Sequence, residues 1–178
     1  GGSSAFVTTD NQLRVAYAYY WAGETRVPAP RRIHIAKLVQ NPANGTLTFN
    51  RTNTVTQGTD FANSITGSGN ITQSGSGTLV LGTNTYSGAT TVNAGTLVTA
   101  AGSLAGTAAI DIGVATLTAV DANAAAALTV AAGGSASFSG STVAVASLSG
   151  AGDVQLGATT FKVGAGNFSG VISGANDS

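Results

Sequence analysis

The chain has 178 residues, no cysteine, a formal net charge of zero at pH 7 and a charged fraction of 8%, against roughly a quarter in ordinary domains. The absence of cysteine excludes disulfides and thiolate metal sites, and the zero net charge gives no reason to expect a nucleic acid or an anionic membrane as partner. Hydrophobic residues occur in short alternating runs between glycine-containing turns. This pattern predicts an ordered all-β chain.

The N-terminal part of the chain, residues 1–44, differs in composition from the rest. Residues 1–12 are predicted to be a linker, and residues 13–44 a distinct N-terminal β segment. Between residues 13 and 22 bulky side chains alternate with mostly small ones, which is the period of a strand with two different faces. The bulky face consists of Leu13, Val15, Tyr17, Tyr19 and Trp21.

Two roles are open for this predicted strand. It could cap the first coil of the domain that follows, because the end of a repetitive fold exposes its core. It could instead add as an assembly strand to a neighbouring subunit, with the aromatic side chains as anchors. The sequence alone does not choose between the two roles.

Charge is unevenly distributed along the chain. Residues 1–51 hold six basic residues and two acidic ones, a net charge of +4, whereas residues 52–178 hold one lysine and five aspartates, a net charge of −4. The two parts therefore attract each other, within one chain or between chains, and salt should weaken this attraction.

A repeat domain is predicted over residues 45–178. Leu47 and Ile71 are 24 positions apart, and so are Leu148 and Ile172. This spacing suits one coil of a solenoid, in which aligned apolar positions form a continuous inner column. The predicted core positions are Leu79, Leu81, Val92 and Leu97, and the predicted corner glycines are Gly77 and Gly88.

Residues 120–132 are the one stretch whose composition favours a helix, since they are rich in alanine, the best helix former. We favour strands there as well, because alanine fits the narrow core of a tightly wound solenoid.

Chemistry-bearing residues are few. His34 is the only histidine, the acidic residues are scattered, and residues 52–161 contain no basic residue. Proton transfer in catalysis needs acids and bases that act together. The sequence therefore predicts a protein that is not an enzyme, with no catalytic site, no metal site and no cofactor.

Three segments resemble a known family. Gly75–Leu81, Asn84–Val92 and Asn93–Leu97 follow one another as in the autotransporter-associated β-strand repeat of bacterial autotransporter passengers, and Gly45–Arg51 resembles the lead-in of that repeat. The resemblance implies a right-handed parallel β-solenoid (β-helix) that is secreted and exposed on the bacterial cell surface. It implies no catalysis, because no catalytic residue belongs to the repeat.

The function that we expect is structural. We expect an extracellular β-solenoid subunit that assembles head to tail as a homo-oligomer, giving a surface filament or matrix. The alternative is an adhesive passenger fragment of an autotransporter, displayed on the bacterial surface. We recognise no signal peptide at the first residues and no apolar run of membrane-spanning length.

Overall fold

The structure, a computed structural model, describes residues 5–7, 13–15 and 45–174. Near the N-terminus, β1 (Ala5–Val7) and β2 (Leu13–Val15) form an antiparallel hairpin. The described part of the range predicted as a linker therefore contains strand β1, which pairs with the first residues of the predicted N-terminal β segment. The rest of that segment, residues 16–44, lies outside the described residues.

Residues 45–174 form two long parallel sheets of seven strands each. The first sheet consists of β3 (Thr46–Phe49), β6 (Asn70–Gln73), β9 (Thr90–Val92), β11 (Ala109–Ile112), β13 (Ala127–Val130), β15 (Thr142–Gly150) and β17 (Thr160–Phe168). The second consists of β4 (Val55–Thr56), β7 (Thr78–Leu81), β10 (Thr96–Thr99), β12 (Thr116–Ala119), β14 (Ser135–Phe138), β16 (Asp153–Gln155) and β18 (Val171–Ser173). The short strands β5 (Thr66–Gly67) and β8 (Thr85–Tyr86) pair with each other.

The chain alternates between the two long sheets, and each strand pairs in parallel with the strand of the preceding coil. This connectivity winds residues 45–174 into a parallel β-solenoid of about six turns. The predicted fold class, an all-β solenoid, is confirmed. The alanine-rich range 120–132 contains strand β13 and turns rather than a helix, as expected.

The length of a coil varies along the solenoid. Leu47 pairs with Ile71, 24 positions later as predicted, but Val154 pairs with Ile172, only 18 positions later. The predicted equivalence of Leu148 and Ile172 is therefore wrong, because Leu148 pairs with Gly166 in the first sheet. The first coil is longer since an excursion over residues 57–69 separates β4 from β6.

The core is a column of side chains between the sheets. Strand residues alternate between buried and partly exposed, as the period of two requires. Leu79 is 1% exposed, and Leu81, Val92 and Leu97 are 0% exposed. In the second sheet one register position carries the column Val55, Leu79, Leu97, Leu117, Ala136, Val154 and Ile172.

Truncating this column should destabilise the solenoid. We expect Leu81→Ala to lower the free energy of unfolding by about 2–5 kcal/mol, because it removes buried methyl groups and leaves a cavity. Val114→Ala is the matched control: Val114 is 75% exposed, so its truncation should change stability by less than about 0.5 kcal/mol. Urea denaturation followed by circular dichroism measures both. Equal effects of the two substitutions would show that the column does not stabilise the fold.

Candidate functional site

Glycines at two corners allow the backbones of successive coils to lie close to each other. Gly77 and Gly88 both lie in bends between strands. A Cβ atom on Gly77 would overlap the carbonyl oxygen of Asn53 in the preceding coil. A Cβ atom on Gly88 would overlap the carbonyl oxygen of Gly69 and lie 2.7 Å from Asn70 Oδ1. These positions need glycine because a neighbouring backbone occupies the space of the side chain.

A buried asparagine connects the first three coils. Asn84 is almost fully buried. Its Oδ1 accepts hydrogen bonds from the backbone N–H of Ile65 at 2.7 Å and from Gln57 Nε2 at 3.0 Å. Its Nδ2 donates to the carbonyl of Gly82 at 2.9 Å and to Ser103 Oγ at 3.3 Å. A buried amide must satisfy its donors and acceptors, and here the partners come from three successive coils, so the network fixes their register.

A second buried network consists of hydroxyl groups. Tyr86 Oη is 2.6 Å from Thr90 Oγ1, which is 2.9 Å from Thr107 Oγ1. Thr107 Oγ1 donates to the carbonyl of Gly88 at 2.7 Å. Burial raises the pKa of Tyr86 to about 12, although the hydrogen bonds to Thr90 and Thr107 act in the opposite direction. Tyr86 is therefore a neutral core residue that links neighbouring coils through its hydroxyl.

The acidic residues of the described range are used in turns or point outward. Asp60 Oδ2 accepts a hydrogen bond from the N–H of Thr56 at 2.7 Å, and Asp121 Oδ2 accepts one from the N–H of Gly102 at 2.8 Å. Asp111 lies in the first sheet and Asp153 in the second. Across residues 45–174, no three His, Cys, Asp or Glu residues come close enough together to hold a metal ion.

The C-terminal end of the solenoid exposes side chains whose counterparts in the preceding coil are buried. We use the name C-terminal end for the last coil, formed by β17 and β18. Ile172 is 47% exposed although its partner Val154 is 0% exposed, and Val163 is 41% exposed although its partner Val145 is 3% exposed. Phe161 stacks on Phe138 with ring centroids 5.7 Å apart, but it is only partly buried.

The same end carries the outermost strands of both long sheets. β17 and β18 are the outermost strands of the two sheets, and within residues 45–174 each pairs on one side only. The outer edge of a parallel strand carries N–H and C=O groups that can pair with another strand. The C-terminal end thus combines apolar side chains with two strand edges.

The predicted site residues are found in different parts of the molecule. The repeat-core and corner positions lie together in the second and third coils. Leu13 and Val15 lie in β2, while Tyr17, Tyr19, Trp21 and His34 lie outside the described residues. Sequence reasoning missed Asn84, Thr90 and Thr107. Asn84 and Thr90 lie in the repeat segment Asn84–Val92, on either side of Tyr86. Their side chains belong to the two buried networks, which explains why this segment combines polar residues with a buried tyrosine.

The family model of the passenger-associated-transport-repeat matches residues 71–98. The matched range begins in β6 and ends in β10, so it contains Asn84, Tyr86, both corner glycines and the four predicted core residues. Neither the curated proteins nor the solved structures contain a match to the chain.

Among the described residues, no helix could span a lipid bilayer.

Substituting a corner glycine should destabilise the fold. We expect Gly88→Ala to lower the free energy of unfolding by about 1–3 kcal/mol, because the new methyl group overlaps the backbone of the preceding coil. Gly82→Ala is the control, since a Cβ atom there meets only the end of the Gln57 side chain, with Oε1 at 3.7 Å, and its effect should stay within about 0.5 kcal/mol. Chemical denaturation of both variants measures the difference. A harmless Gly88→Ala substitution would contradict the close approach of the coils.

Stability should fall at alkaline pH through Tyr86. Its pKa is raised from 10.0 to about 12 in the folded state. The folded protein therefore retains this proton more tightly than the unfolded chain, and the stabilisation is complete below pH 10 and lost as the pH rises towards 12. The loss should reach about 2–3 kcal/mol.

The Tyr86→Phe variant isolates this effect, because every other titrating group is unchanged. Urea denaturation between pH 8 and pH 12 should give a steeper decline for the parent chain than for the variant. Parallel declines would show that Tyr86 does not titrate differently in the two states.

Proposed function

Because residues 71–98 match the passenger-associated-transport-repeat, we propose that the chain is a non-enzymatic, extracellular structural protein of the bacterial surface, secreted as autotransporter passengers are. The repeat and the solenoid fit a passenger-like protein. We propose further that copies of the chain associate head to tail into a filament or matrix.

A structural rather than catalytic role is supported by where the charged residues lie. Asp60 accepts a hydrogen bond from the N–H of Thr56 at the end of β4, and Asp121 accepts one from the N–H of Gly102, so both serve the coil geometry. Asp111 and Asp153 lie on separate sheets. Residues 52–161 contain no basic partner for any of these carboxylates. General acid–base catalysis needs proton donors and acceptors positioned together.

The observation that carries the proposal of self-assembly is the C-terminal end. Ile172 is exposed although its counterparts in all earlier coils are buried, and Val163 is exposed although Val145 in the preceding coil is buried. Both lie beside the outermost strand edges of the two sheets. Exposed apolar patches and open edges are typical of surfaces that meet another chain. Contact between two different surfaces of identical subunits is heterologous, and it produces a filament when the rotation does not close.

Self-assembly is tested on the purified full chain. Sedimentation velocity over a wide concentration range should show species that grow with concentration, and electron micrographs of the same samples should show linear particles. Raising the salt concentration shortens the Debye length from about 10 Å at 0.1 M to 3 Å at 1 M. We therefore expect smaller species at high salt, because the +4 and −4 parts of the chain attract each other less.

A chain that stays monomeric at every concentration would overturn the proposal of self-assembly. Saturable binding of this monomer to a host surface would then favour the adhesive passenger. Hydrolysis or cleavage of a glycan that is lost in Asp111→Asn or Asp153→Asn would overturn the structural role as a whole.

A further inference from the structure

The first coil of the solenoid is longer than the second. Leu47 pairs with Ile71, 24 positions later, whereas Ile71 pairs with Thr90, only 19 positions later, so the first coil has five additional residues. All five lie between β4 and β5. The last residue of β4 and the first residue of β5 are ten positions apart, and their partners in the second coil are five positions apart.

The insertion can be located within this stretch. The turn of the first coil begins with Gly58-Thr59, and the equivalent turn of the second coil begins with Gly82-Thr83. Residues 60–64 are therefore the inserted ones, because without them the two turns have the same length and the same first two residues. We call residues 58–64 the edge loop.

The backbone groups of β4 show which edge of the second sheet the edge loop meets. Successive residues of a paired strand direct their N–H and C=O groups alternately to the two edges of that strand. The N–H of Gln57 donates to the carbonyl of Val80 in the second coil, at 2.9 Å. Thr56 and Gly58, on either side of Gln57, therefore direct their backbone groups to the opposite edge, where a strand of a preceding coil would pair.

The edge loop satisfies these backbone groups. The N–H of Thr56 donates to Asp60 Oδ2 at 2.7 Å, and the carbonyl of Thr56 accepts from the N–H of Asp60 at 2.8 Å. The N–H of Gly58 donates to the carbonyl of Phe61 at 2.7 Å. Phe61 also forms a parallel bridge with Gln57. The edge loop thus takes the place of a neighbouring strand at this edge.

The side chain of Phe61 covers the core at the same end. Its ring centroid lies 5.8 Å from that of Phe49 in β3, the outermost strand of the first sheet, and Phe61 is only 5% exposed. Phe49 shares its register position with Gln73 and Val92, which are both buried in the core. The backbone of the edge loop therefore closes a strand edge while its aromatic side chain packs on the first layer of the core.

We infer that the edge loop is a built-in cap that prevents another strand from adding to the edge of β4. An uncovered sheet edge presents N–H and C=O groups that can pair with another chain. Here the groups of Thr56 and Gly58 are already bonded within their own coil. The inference goes beyond the proposed function, because the cap acts in a monomer and in a filament alike. In a filament it restricts contact at this end to surfaces other than the edge of β4.

Deleting residues 60–64 from the full chain tests this inference. The deletion leaves Gly58-Thr59 as the turn, as in the second coil, and uncovers the edge of β4. We expect a folded chain that assembles at a concentration at least about tenfold lower than the parent chain, because strand pairing at this edge adds backbone hydrogen bonds between copies. Sedimentation velocity measures assembly, and circular dichroism checks the fold. A folded deletion variant that assembles no more readily than the parent chain overturns the inference.

Amide hydrogen exchange measures the cap without assembly. In a dilute sample of the parent chain the amides of Thr56 and Gly58 should exchange slowly, because both are hydrogen-bonded to the edge loop. In Asp60→Ala the amide of Thr56 loses its acceptor and should exchange at least about tenfold faster, whereas that of Gly58 retains the carbonyl of Phe61. Asp111→Ala is the matched control, because it removes one carboxylate from β11 in the other sheet. It should change neither amide.

The outcomes separate this inference from the proposed function. Fast exchange of both amides in the parent chain overturns the cap, even if that chain forms filaments. A parent chain that stays monomeric overturns self-assembly, whereas assembly of the deletion variant under the same conditions supports the cap. If the deletion variant does not fold, Asp60→Ala takes its place in the sedimentation experiment. Assembly more ready than that of Asp111→Ala then supports the cap, and equal assembly overturns it.

Discussion

Coil-on-coil backbone pairing is the constraint on which the rest of the structure depends. Each strand of residues 45–174 lies parallel to its counterpart in the preceding coil, and adjacent parallel strands are separated by about 4.8 Å. At that distance a corner has little room for a side chain directed at the coil before it. The corner glycines Gly77 and Gly88 follow from this spacing. The alternation of buried and outward residues follows instead from the pleat of each strand.

The same constraint explains why polar residues are buried in the N-terminal half of the solenoid. Between the strands the backbone turns, and its N–H and C=O groups need partners that the ladders do not supply. Asn84 provides them for Ile65 and Gly82, and Thr107 does so for Gly88. Each of these side chains connects neighbouring coils. It therefore provides hydrogen bonds to the backbone groups of a turn and also fixes the register of the stacked coils.

A stack of this kind has no intrinsic end, because every coil exposes on its far side what the next coil would bury. Residues at equivalent positions can therefore have opposite environments. Leu97 and Ile172 share one register column, yet one is fully buried and the other about half exposed. The difference arises from the neighbouring layer and not from the residue, and it is why the proposed function centres on the C-terminal end.

The sequence by itself determined the fold class and the inner positions of the repeat. A period of two in Thr78–Leu81 and Thr96–Thr99 is sufficient to orient Leu79, Leu81 and Leu97, because successive strand residues point to opposite sides. The motif Asn84–Val92 lies within the range that matches the model of the passenger-associated-transport-repeat. These signals are local, so a single stretch of chain contains them in full.

Only the tertiary structure decided the length of each coil and the partners of the buried polar groups. A spacing of 24 is correct for Leu47 and Ile71 but not for Leu148, since the number of residues in a corner depends on how that corner packs. Tyr86 and Asn84 find partners in other coils, 19 to 27 positions away in the case of Asn84. The exposure of Ile172 likewise depends on the absence of a further strand layer above it among the described residues. Contacts between coils are not encoded by any local period, so they appear only when the chain is wound.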